Sequence, residues 1–72
     1  MHQSIMPASA GFQPFERAEM QQAIDAVCEE LGIPRGERIR RHAITRCVVY
    51  EYRHGRRMPL NLVDAGLRAT GA

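Results

Sequence analysis

Between Gly36 and Gly55 the chain runs from Glu37 to His54 without a glycine or a proline. This stretch constrains the fold most, because it has to be one long element. Its apolar spacing predicts a helix opened by Pro34, the usual first-turn residue, and stopped at Gly55. Ile39, Ala43, Cys47 and Tyr50 lie along one line, with Ile44 and Val48 beside it. At about 100° per residue they cover one broad side, which is expected to face a core. The reading sets Arg38, Arg41, His42, Arg46 and Arg53 on the other side. Val49 and Tyr52 fall among those charges, so the C-terminal half of the helix is apolar on more than one side; either the third helix covers them within the chain or a second copy does, about a twofold axis.

The flanking segments read as two further helices. Met20, Ile24, Val27 and Leu31 recur at helical spacing and predict an amphipathic helix over about Phe15 to Leu31. Pro14 suits its first turn, and Glu16 and Glu19 suit the positive end of its dipole. Gly32 is a candidate left-handed cap, after which Ile33 folds back on the last turn. Downstream, Leu60, Val63 and Leu67 share a side. That helix starts either at Pro59 or, through Asn61 and Asp64, at Leu62. Gly66 costs it about 1 kcal/mol relative to alanine, and a helix so short has to dock to persist. The expected fold is all-α, a two-helix hairpin plus a short C-terminal helix over residues 14–70, with residues 1–13 a flexible tail anchored only at Phe12. The expected core is Ile24, Val27, Leu31, Ile39, Ala43, Cys47, Tyr50 and Leu67.

The segment from Gly55 to Leu67 carries Gly55, Arg57, Pro59, Leu62, Asp64, Ala65 and Leu67. In this it resembles the C-terminal pattern of a group of small helical bacterial proteins, in which a long helix ends at glycine and a proline-started helix carries two leucines. The likeness covers a third to half of the chain. Met58 stands where that pattern usually has an aspartate able to cap the helix. The resemblance implies a helical fold and no particular activity.

Charge is distributed unevenly. Five acids and one arginine lie between Phe15 and Leu31, whereas eight arginines and two glutamates lie between Pro34 and Arg57. All ten basic residues are arginine, the side chain suited to bidentate contacts with phosphate or carboxylate, although a GC-rich coding bias would give the same composition. Ala26 to Arg41 resembles a helix-turn-helix, with helix, glycine turn and basic second helix. It departs from that pattern at Arg38, where an apolar residue is expected, and at Cys28, where a small alanine is usual. On this reading Arg35, Arg38, Arg41 and Arg46 contact nucleic acid.

No chemistry-bearing motif stands out. There is no nucleophile beside a base, no glycine-rich phosphate loop and no pair of catalytic carboxylates, so the chain is not expected to be an enzyme. His2, His42 and His54 lack metal-ligand spacing, and no metal or cofactor is expected. Cys28 and Cys47 sit beside apolar stripes and are expected to stay reduced. With no long apolar run and no evident signal peptide, the sequence suggests a cytoplasmic protein. The favoured function is a non-enzymatic interaction module that binds a protein partner or itself through Val49, Tyr52, Arg46 and Arg53. The alternative is a small DNA- or RNA-binding protein that uses the arginine-rich helix.

Overall fold

The computed structural model describes residues 11–71. The chain forms three helices, α1 (Pro14–Leu31), α2 (Arg38–Arg53) and α3 (Pro59–Arg68), with no strand among the described residues. Each helix packs against both others, so α3 is a full partner in the bundle.

Local chemistry sets most of the boundaries. The Gln13 backbone N–H donates to Glu16 Oε1 at 2.7 Å, and Pro14 occupies the first turn of α1. Residues 1–10 of the expected tail lie outside the described residues. Phe12, its expected anchor, packs edge-on against Tyr52 with ring centroids 5.5 Å apart. At the other end of α1, Gly32 takes φ 68°, a left-handed cap that a side chain would strain. The Ile33 N–H then donates to Cys28 O at 2.9 Å, which folds the buried Ile33 back onto the last turn. α3 begins at Pro59, the earlier of the two expected starts.

α2 begins four residues later than the sequence suggests. Pro34 to Glu37 form a turn, closed by the Glu37 N–H donating to Pro34 O at 3.1 Å. A helix begun at Pro34 would carry Gly36 in its first turn, at a cost of about 1 kcal/mol. Glu37 instead holds the extended conformation of an N-cap, with φ −87° and ψ 100°. Its carboxylate accepts from the Arg40 guanidinium, which lowers the Glu37 pKa and raises that of Arg40.

The core is built from Met20, Ala23, Ile24, Val27 and Cys28 of α1, Ile33, then Ile44, Val48, Val49 and Tyr52 of α2, with Leu62 and Ala65 of α3. Ile24 and Val27 are buried as expected. Leu31, Ala43, Cys47 and Leu67 are only half-buried, and the two largest expected core residues of α2 point outward, Ile39 at 85% exposure and Tyr50 at 61%. The inner side of α2 is therefore the Ile44–Val48–Tyr52 line. About 140° separates Ile44 from Ile39 at helical spacing, so α2 has two apolar lines and can bury only one. Packing against α3 selects the inner one: Gly66 leaves no side chain where Val27 and Ile44 meet the helix. Three ion pairs tie the elements together at the rim: Arg41–Asp25 at 3.5 Å, Arg57–Glu16 at 2.9 Å and Arg68–Glu51 at 3.8 Å. Pairs exposed to this degree contribute at most about 1 kcal/mol each, so the apolar core holds the fold.

Candidate partner-binding surface on the central helix

Val49 and Tyr52 do not form the partner surface expected of them. They are 6% and 1% exposed, inside the bundle. Tyr52 is a fold anchor. Its hydroxyl donates to Glu19 Oε1 at 2.5 Å, and the Arg57 guanidinium lies 4.1 Å above its ring. Arg57 also donates to the Tyr52 carbonyl at 2.9 Å and to Glu16 Oε2 at 2.9 Å, which pins the α2–α3 connector to α1. Arg53 stays at the surface, with its guanidinium 5.3 Å from the Phe12 ring centroid.

Burial, followed by the hydrogen bond to Glu19, pushes the Tyr52 phenol from 10.0 up to about 12. The protonated form is the one the fold favours. Its contribution is therefore complete below pH 10 and is lost as pH rises from 10 through about 12. Melting temperatures recorded across that window are expected to fall with pH in the parent and to fall less steeply in Tyr52→Phe. Parallel slopes would show that Tyr52 is not the group responsible.

The surface α2 offers to solvent is the other apolar line. Ile39 and Tyr50 stand about 20° apart around the helix axis, with Ala43 about 40° from Ile39. Arg46 falls about 20° to the opposite side of Ile39, and Arg53 and His42 lie just beyond it. These basic residues share the apolar line's face rather than opposing it. Tyr50 stacks on His54, centroids 4.0 Å apart and planes 27° apart. Beside it an open groove of about 490 Å³ runs between α2 and α3, floored by Ala43, Cys47 and Ala65 and edged by Arg46, Glu51 and Arg68.

Apart from Arg53, which lies against Phe12, the arginines divide into two sets. Arg40, Arg41, Arg56, Arg57 and Arg68 are held in ion pairs, and Arg17 donates to Phe12 O at 2.7 Å. Arg41 is thereby withdrawn from the expected nucleic-acid set, since its side chain is 23% exposed and turned to Asp25. Arg35, Arg38 and Arg46 are exposed and have no ion pair among the described residues. Arg46 lies about 20° from Ile39 and Arg38 about 100° from it on the same side, whereas Arg35 sits at the α1–α2 elbow near Asp25 and Glu29. The single acid within α2, Glu51, is turned toward Arg56 and Arg68. The outward face of α2 is therefore apolar at its centre and basic along one edge, and its one acid, Glu51, lines the groove wall paired with Arg56 and Arg68.

Ile39 and Tyr50 are the residues of this surface that the sequence reading assigned to the core. A signal was present: Arg46 lies closer to Ile39 around the helix than Ile44 does. Among the described residues, no three His, Cys, Asp or Glu side chains converge as a metal site would require, and no helix is long and apolar enough to cross a membrane. Both cysteines are free, Cys28 in the core and Cys47 half-buried in the groove floor. Compared with protein-family models, with curated proteins and with solved structures, the chain matches none.

Proposed function

We propose that this protein is a non-enzymatic helical interaction module whose working surface is the outward face of α2. One observation carries the reading: Ile39 and Tyr50, at 85% and 61% exposure, lie on one face of α2, about 16 Å apart along its axis, with Arg46 between them. Scattered exposed apolar residues need no explanation. Two large ones aligned on one helix, Tyr50 at the wall of a groove with an apolar floor, suit a docking surface. The matching partner is a protein helix with an apolar stripe and acids along one edge, laid into the face in the helix-in-groove mode. Free thiols at Cys28 and Cys47 fit a reducing compartment, and a cytoplasmic location is part of the proposal.

The test uses a labelled model helix with leucines along its centre and glutamates along one edge. Fluorescence anisotropy is expected to show binding to the parent chain, and at least a tenfold loss, about 1.4 kcal/mol, in Ile39→Gln/Tyr50→Gln. Equal affinity of parent and variant, or no binding to either, would overturn the reading.

A second reading rests on Arg35, Arg38 and Arg46, which lack ion pairs among the described residues. Phosphates could occupy such a set. Binding of duplex or single-stranded oligonucleotide would then weaken steeply with salt and survive Tyr50→Gln.

A further inference from the structure

We infer that the partner of the α2 face is a second copy of this chain, which presents the outward face of its α1. The inference rests on the proposed role of the α2 face and identifies what occupies it. The two faces complement each other in charge within one sequence. Among the described residues, every acid except Glu29 and Glu30 is engaged by an arginine, by Tyr52 or by the Gln13 N–H. Glu29 and Glu30 are exposed on α1, Glu29 at the elbow near Arg35, and Arg38 and Arg46 are exposed on α2 without an ion pair among the described residues.

The two faces also match in shape. Around Gln22, the outward side of α1 carries Ala18, Ala26 and Glu29 within about 40°, small side chains over which another helix can lie closely. Phe15, 64% exposed, stands on the same side. Arg17, the one base of α1, points away from this face and donates to Phe12 O. The outward side of α1 is therefore acidic and, apart from Phe15 in its first turn, small-residue, where that of α2 is bulky and basic. The helices are of similar length, about 27 Å and 24 Å at 1.5 Å per residue.

Like faces do not suit each other. Packing α2 on α2 of another copy brings two basic faces together, and α1 on α1 two acidic ones. Crossing α1 with α2 removes both repulsions. Such a contact joins two different surfaces, so it is heterologous and continues from copy to copy until a ring closes. A single helix pair is a small interface, so the association is weak and depends on salt.

The test follows from that asymmetry. One variant blocks α2 with Ile39→Gln, Arg46→Gln and Tyr50→Gln; the other blocks α1 with Ala18→Gln, Ala26→Gln and Glu29→Gln. All six positions lie outside the buried core, and glutamine is a good helix former. Circular dichroism and melting curves establish that each variant folds. In sedimentation velocity at about 1 mM protein and low salt, the parent chain is expected to run beyond a dimer, and less so at about 0.5 M salt. Each variant alone is expected to be monomeric, and an equimolar mixture to give a dimer and nothing larger. A parent chain that stays monomeric overturns the inference, as does one that stops at a dimer while the mixed variants stay apart. If the labelled acidic helix still binds in either case, the α2 face keeps its role and only its occupant is wrong. If that helix also fails to bind, both readings fall.

Discussion

Ile44→Ala is expected to cost about 2–5 kcal/mol, the range for truncating a large buried aliphatic side chain. Ile44 is 0% exposed, packed where α1 and α3 both meet α2. A 72-residue chain has a total stability of only about 4–11 kcal/mol at usual values per residue. The variant should therefore lose a large part of its cooperative melting transition, or all of it. Ile39→Ala is the matched control: the same chemical change in the same helix, five residues earlier and 85% exposed. It is expected to shift stability by no more than about 0.5 kcal/mol, because a surface substitution removes no packing and alanine is the better helix former. Thermal melts of the two variants test which side of α2 is inside. Comparable losses in both, or a larger loss at Ile39, would show that the helix is rotated the other way.

Gly66→Leu should unfold the domain, and Gly66→Ala should weaken it even though alanine is the better helix former. A Cβ at position 66 would stand 2.8 Å from Val27 Cγ2 and 3.2 Å from Ile44 Cγ2. Both atoms belong to β-branched side chains, whose rotamers are restricted in a helix, so neither swings aside easily. Relieving the overlap costs about 1–3 kcal/mol, against about 1 kcal/mol gained in helix propensity. The expected net loss for Gly66→Ala is about 1 kcal/mol, or roughly 4–8 °C in melting temperature for a domain of this size. Urea titration measures it directly. A more stable Gly66→Ala would mean that α3 can shift away from Val27 without losing its packing.

Gly66 also shows the limit of local reading. In the sequence it is a weak point in a short helix. In the bundle it is the position at which α3 comes closest to α1 and α2, and its missing side chain is what permits that approach. Propensity counts the first effect and cannot see the second. The same difference separates the two ends of α2. Gly55, at φ 88°, stops the helix where the sequence expects, because that conformation is a property of the residue itself. The start depends on a competition between Pro34, which would begin a helix, and Gly36, which weakens one, and Glu37 settles it by taking the extended N-cap conformation.

What the amino-acid order determined by itself was the number of helices, most of their ends and the buried side of α1. Those follow from local conformational preferences and from a single apolar stripe that has only one way to be buried. α2 carries two apolar lines, Ile39–Ala43–Cys47–Tyr50 and Ile44–Val48–Tyr52, and periodicity alone does not choose between them. The tertiary structure chose, because Gly66 makes room for Ile44, and Glu19 and Arg57 offer Tyr52 partners inside the fold. That choice turned Val49 and Tyr52 inward and left Ile39 and Tyr50 in solvent beside Arg46. The candidate surface is thus a consequence of packing on the far side of its own helix, where a residue's fate depends on neighbours distant in sequence.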